Sequence, residues 1–194
     1  SHVYDVTYGI VRNDEDTVVL LDDSIVRGTT LKESIINILS KLFPKKIIIV
    51  SSAPQIRYPD CYGIDMSVMK SFVAFQAMIE LCEEMGKEDF IEEIYERCKA
   101  QEDLPKEEMV NHVKELYAMF TDKQISDRIA AIVRPANLKY ELEVLFQTIE
   151  GLHLACPENL GDWYFSGDYP TPGGTKVVNK AFINYMEKSS ERAY

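Results

Sequence analysis

The chain has 194 residues, with 21 Lys and Arg against 32 Asp and Glu, a formal net charge of −11. Its composition, 46% hydrophobic and 27% charged, is globular rather than disordered, and a single domain of about this size buries roughly 70% of its unfolded surface. The apolar runs, such as residues 17–21 and 47–50, are too short to cross a membrane; the negative charge argues against a bare nucleic-acid or anionic-lipid surface, so a polyanionic ligand must be met by local backbone donors or a metal ion.

In chain order, Asn13-Asp14-Glu15-Asp16 reads as a turn, and the β-branched apolar run 17–21 reads as a strand buried on both faces. A polar, Gly-containing loop follows. The spacing of Leu31, Ile35, Ile38, Leu39 and Leu42 then predicts a helix over 30–42, ended by Pro44, and residues 46–51 read as a second buried strand. Strand, loop, helix and strand in this order make a βαβ unit, which implies a parallel sheet and a right-handed crossover.

From Ser67 the pattern turns helical. Helices are predicted over 67–84 with Ser67 as cap and Gly86 as stop, over 87–100, over 105–120 with Pro105 at the first position, and from Thr121 or Asp122 to Val133, closed by Pro135. Residues 80–108 hold twelve acidic and four basic side chains, net −8, which reads as a solvated helix face. A strand is predicted at 143–146, a loop rich in Gly, Pro and aromatics at 159–174, and a terminal amphipathic helix at 176–191. The organisation this implies is residues 1–75, an acidic helical block at 76–140, and a mixed tail at 141–194 packing back on the first part. Cys61, Cys82, Cys98 and Cys156 form no C-x-x-C and no zinc pattern, so they read as reduced thiols of a cytoplasmic protein.

The loop after the first strand carries the chemistry. Asp22 and Asp23 end the strand, and Ser24, Ile25, Val26, Arg27, Gly28, Thr29 and Thr30 lead into the helix. In an open α/β sheet, ligands bind at this carboxyl edge. Backbone N–H groups near Gly28 to Thr30, with the three hydroxyls, suit a phosphate at the helix start, and Gly28 permits a close backbone approach. The G-x-x-x-x-G-K-[ST] order of a Walker loop is absent. The paired carboxylates suit a ligand that also offers hydroxyls or a divalent cation.

Val18-Val19-Leu20-Leu21-Asp22-Asp23-Ser24-Ile25-Val26-Arg27-Gly28-Thr29-Thr30 resembles the 5-phosphoribosyl-1-diphosphate (PRPP) motif of type I phosphoribosyltransferases. The Ser-Ile-Val-Arg-Gly-Thr-Thr wording is similar to the glutamine amidophosphoribosyltransferase family, as are Ser52-Ala53-Pro54-Gln55-Ile56-Arg57-Tyr58-Pro59 and Tyr62-Gly63-Ile64-Asp65-Met66. Weaker echoes fall at Ile149-Glu150-Gly151-Leu152 and Phe165-Ser166-Gly167-Asp168-Tyr169-Pro170.

The resemblance implies an α/β fold: part of a type I phosphoribosyltransferase parallel sheet with flanking helices, plus a helical carboxyl-terminal extension. It implies that Asp22 and Asp23 hold the ribose hydroxyls and Mg²⁺, that Ser24 to Thr30 hold the 5-phosphate, and that residues 53–66 shape the pocket floor. For Arg57 and Asp65 a structural ion pair or turn reads as well as ligand contact does. Some family members bind an iron–sulfur cluster through cysteines, but the corresponding stretch here, 159–167, has no Cys and Cys61 is offset by one residue, so no cluster is expected. The N-terminal glutaminase domain, pyrophosphate loop and lid loop have no counterpart here. The chain therefore reads as a carboxyl-terminal fragment without catalytic residues of its own and inactive alone. Its expected partners are PRPP, purine nucleotides, the glutaminase domain and further copies in a homo-oligomer, with neither nucleic acid nor membrane. Two rivals are another type I phosphoribosyltransferase, such as an adenine or orotate enzyme, and a non-catalytic regulatory module that kept the pocket.

Overall fold

The computed structural model describes residues 7, 9–59 and 66–193. Three parallel strands, β1 (Thr17–Asp22), β2 (Lys46–Ser51) and β3 (Glu141–Phe146), form a sheet in the order β1-β2-β3. Ile48 lies between Val19 and Glu143 in the register, and Ile49 between Leu20 and Val144. The expected α/β architecture is present.

The expected two-sided burial of residues 17–21 is not. Val19 and Leu21 are 59% and 72% exposed, and Leu145 on the same face of β3 is 42% exposed. Both crossovers advance across the sheet in the same direction, and right-handed connections then fall on a single face. On that face Ile47, Ile49 and Val144 are buried against the helices. The opposite face carries a Lys46 bridge to Glu141 (2.8 Å) and Glu143 (2.7 Å), and beyond it the uncovered apolar side chains.

Between β1 and β2 runs α1, wound as a π turn over Leu31–Ile35, with the Ile36 N–H donating to the Leu31 carbonyl, and as an α-helix over Ile36–Ser40. It stops two residues short of the predicted Leu42, and Phe43 turns the chain with φ +50° ahead of Pro44. The second crossover contains α2 (Val73–Glu84), α3 (Glu88–Lys99), α4 (Val113–Tyr117) and α5 (Asp122–Val133). Ser67 does not cap α2: a 3₁₀ turn at Met69–Ser71 intervenes and the helix starts after Phe72.

The helix predicted over 105–120 is broken into a 3₁₀ turn at Lys106–Glu108, an extended segment, and α4. Side chains take over the backbone bonding there. The Val110 N–H donates to Gln101 Oε1 (2.6 Å), and the Val110 carbonyl accepts from Gln101 Nε2 (3.2 Å) and Asn179 Nδ2 (3.1 Å). A buried amide pair thereby replaces one helical turn.

The start of α5 follows the sequence signal closely. The Thr121 hydroxyl accepts from the Gln124 N–H and the Gln124 side chain accepts from the Thr121 N–H, a capping box. Thr121→Ala is expected to lower stability by about 1 kcal/mol; unchanged thermal melting would show that the cap contributes nothing.

After β3 come α6 (Ile149–Ala155), α7 (Trp163–Ser166) and α8 (Pro172–Met186). The last begins four residues before, and ends five before, the predicted 176–191 helix; Pro172 at its first turn is pre-set for the start. The acidic residues of α3, Glu88, Asp89, Glu92, Glu93 and Glu96, are exposed as expected, while Ile91, Ile94 and Cys98 face the core. Cys82 and Cys98 are buried free thiols and Cys156 is exposed; Cys61 lies outside the described residues. One hydrophobic core joins the sheet to α2, α3, α4, α5 and α8. Among the described residues no helix is long and apolar enough to cross a membrane.

Candidate functional site

The β1–α1 loop sits at the carboxyl edge of the sheet. Asp22 is the last residue of β1, and the ladder continues past it: Ser52 and Ala53 N–H donate to the Asp22 and Asp23 carbonyls at 2.9 and 3.0 Å. The Ser52 hydroxyl adds a bond to the Asp23 carbonyl at 3.1 Å. Each carboxylate then holds the following turn, Asp22 Oδ1 accepting from the Asp23 N–H (3.0 Å) and Asp23 Oδ1 from the Ser24 N–H (2.8 Å). The loop is anchored in the middle, where Ile25 is 3% exposed and the Val26 carbonyl accepts from the Val73 N–H at 2.8 Å.

A pocket of about 420 Å³ opens along this loop, lined by Asp22, by Ser24 through Leu31, and by Ile35 and Met66. Thr29 and Thr30 are exposed at its rim, at the start of α1. Sequence reasoning grouped Asp23 with Asp22, but only Asp22 lines the pocket. Gly28 has the positive φ of +70° that its position needs. The space where a Cβ would sit is filled from the protein side, by Val133 Cγ1 at 2.8 Å and Val73 Cγ2 at 3.3 Å. Its close approach on the protein side is therefore to α5 and α2, while it also lines the pocket.

Burial raises the Asp22 pKa, the neighbouring Asp23 charge adding to the effect, while the Asp23 N–H opposes it. A carboxyl raised in the folded state stabilises the fold below its unfolded pKa and loses that contribution as pH rises through the folded value. Asp22→Asn keeps an acceptor for the Asp23 N–H and removes the half-buried charge. It is expected to raise the melting temperature at pH 7, with the gain vanishing near pH 3; a fall at pH 7 would show that the carboxylate is a net support.

For a divalent cation, the adjacent carboxylates of Asp22 and Asp23 each keep one oxygen uncommitted by the loop bonds described. Magnesium is commonly held by one or two carboxylates together with substrate phosphates, and this pair fits that arrangement. Among the described residues no group of three or more His, Cys, Asp or Glu forms a closed metal cage.

One residue that sequence reasoning left open, Arg57, lies at the neighbouring strand ends. Arg57 is a structural ion pair: its guanidinium contacts Asp122 and Gln55 Oε1 (2.8 Å) and lies 5.2 Å over the Tyr117 ring. Gln55, 3% exposed, donates to Ser126 Oγ and the Asp122 carbonyl, both at 2.8 Å. These residues and the end of β3 line a second cavity of about 250 Å³. The expected floor segment thus divides, Met66 facing the loop pocket and Pro54, Gln55 and Arg57 facing the second cavity. Tyr62, Gly63, Ile64 and Asp65 lie outside the described residues. The two weaker echoes of the motif converge on the same edge. Ile149, which opens α6 just after β3, and Phe165 both line the second cavity, and the adjoining Tyr164 carbonyl accepts from the Arg57 and Tyr58 N–H groups at 2.9 and 3.1 Å. The pocket contributions of Leu31 and Ile35 were missed; their helical spacing was the available signal.

A parallel α/β sheet with flanking helices, carrying this loop at its carboxyl edge, has the partial fold of a type I phosphoribosyltransferase. Over part of its length the chain is similar to amidophosphoribosyltransferases. It is 42% identical to that of Haemophilus influenzae over 78 residues, 40% of this chain and 15% of the relative. It is 47% identical to that of Escherichia coli over 60 residues, 31% of this chain and 12% of the relative. It is 40% identical to that of Saccharomyces cerevisiae over 87 residues, 42% of this chain and 17% of the relative. The chain thus spans less than a fifth of the length of these relatives. No protein-family model matches it.

Proposed function

We propose that this chain is the part of an amidophosphoribosyltransferase that holds the ribose and 5-phosphate of PRPP. The longer enzyme, in this reading, converts PRPP, glutamine and water to 5-phosphoribosylamine, glutamate and pyrophosphate, the first step of de novo purine synthesis. The observation that carries the proposal is the loop from Asp22 to Thr30, which lines a pocket at the carboxyl edge of β1 with a carboxylate, hydroxyls and the start of a helix.

In this reading Asp22 and Asp23 accept hydrogen bonds from the ribose hydroxyls. Ser24, Thr29 and Thr30 donate to the 5-phosphate, and the loop backbone from Ile25 to Gly28 fixes their spacing. Anchoring through Ile25 and the Val26 carbonyl keeps those donors placed before the ligand arrives, so less ordering is required on binding. Asp22 and Asp23 are also the residues that would hold Mg²⁺, which when bound neutralises charge on the leaving pyrophosphate. No iron–sulfur cluster belongs to this proposal. The protein works in the cytoplasm, and purine nucleotides and further copies of the enzyme are its partners.

The test uses the longer enzyme. Asp22→Ala and Asp23→Ala are each expected to weaken PRPP use by about ten- to a hundredfold, the equivalent of losing a charged hydrogen bond, while glutamine hydrolysis persists. The 194-residue chain alone is expected to make no phosphoribosylamine, even with ammonia supplied. Unchanged PRPP kinetics in both variants would overturn the assignment of the loop.

A further inference from the structure

A third pocket lies far along the chain from the β1–α1 loop, between α3, α8 and the carboxyl-terminal tail. It measures about 420 Å³, within the range typical of small-molecule sites, about 300–1,000 Å³. Its inner wall is apolar: Cys98 and Ile183 are each 1% exposed and Ala193 is 7% exposed. Its rim is net basic, with Lys176, Lys180 and Arg192 against one carboxylate, Glu102. That is unexpected in a chain of net charge −11, where the adjoining acidic helices would disfavour any anion.

The commitments of these groups differ. Lys180 bonds Glu102 at 3.0 Å and feels Glu187, which itself pairs with Lys99. Lys176 and Arg192 have no ion pair among the described residues. Lys176, Asn179, Lys180 and Ile183 follow the i, i+3, i+4, i+7 spacing of one helix face. Asn179 is only 4% exposed, yet its Oδ1 accepts just a weak thiol bond from Cys98 at 3.6 Å. A core-facing position ordinarily carries an apolar residue or a fully bonded amide.

We propose that this pocket binds a small amphipathic organic anion: a planar apolar body with an N–H or O–H donor for Asn179, and a carboxylate, sulfonate or phosphate directed to Lys176 and Arg192.

The experiment follows amide chemical shifts of the 194-residue chain during titration with three probes. Anilinonaphthalene sulfonate has both the body and the anion, N-phenylnaphthylamine has the body alone, and inorganic phosphate has the anion alone. The sulfonate is expected to shift Gln101, Asn179, Ile183 and Ala193, and to bind at least about tenfold more tightly than either other probe. The Lys176→Glu/Arg192→Glu double variant, altered only at exposed positions, is expected to weaken it by about tenfold, as reversal of two solvent-facing charges allows. Three results would overturn the proposal: shifts confined to Val19, Leu21 and Leu145 on the open sheet face, equal binding of the uncharged amine, or equal binding by the double variant.

Discussion

Gly28→Ala is expected to cost about 2–5 kcal/mol of stability, combining a left-handed backbone at a non-glycine residue with overpacking of a filled interior. For a chain of this size that lowers the melting temperature by roughly 5–15 °C. Its Cβ would lie 2.8 Å from Val133 Cγ1 on α5 and 3.3 Å from Val73 Cγ2 on α2. Gly86 separates the two causes, since its φ of +63° is equally left-handed but nothing lies within 4 Å. Gly86→Ala should therefore cost only about 1 kcal/mol. Adding Val133→Ala to Gly28→Ala should recover part of the crowding cost, a non-additivity expected of touching residues. Strict additivity in thermal melts would show that crowding against α5 is not the cause.

Phe182→Ala is expected to cost about 3–5 kcal/mol, a large share of the roughly 5–15 kcal/mol that holds a typical domain. Phe182 is fully buried on α8, with its ring edge-on to Phe75 of α2 at 6.2 Å and stacked on Tyr185 at 6.3 Å. Since α2 and α8 share one core with the sheet, urea unfolding of the variant should remain a single transition at a lower midpoint. A separate early transition that spares the sheet would show that α8 unfolds independently.

The first half of the chain was largely legible because local signals and tertiary structure agree there. The residues of β1 and β2 are β-branched and apolar, Pro44 stops the intervening helix, and the loop between has a polar composition that only an exposed edge tolerates. The capping box at Thr121 was equally plain. What escaped was set by distant side chains. Nothing local to residues 105–120 shows that Gln101 and Asn179 will capture the Val110 backbone. Nothing in residues 17–21 shows that both crossovers fall on one face, leaving Val19 and Leu21 uncovered. At the site, the carboxylate and hydroxyl positions were readable from the motif. That Val133 fills the space beside Gly28 was not, because α5 lies about a hundred residues further on.

The sheet has a consequence for the order in which the molecule assembles. About 24 residues separate the end of β1 from the start of β2, but about ninety separate β2 from β3. The entropy of closing a loop grows with the logarithm of its length, so the second pairing costs on the order of 1 kcal/mol more to initiate than the first. That cost falls if α2 through α5 have already compacted the intervening chain, because the effective separation then shrinks. The helices are accordingly expected to act as a splint for the sheet, with β3 docking late onto the β2 edge, and variants that loosen α5 are expected to slow refolding more than they speed unfolding.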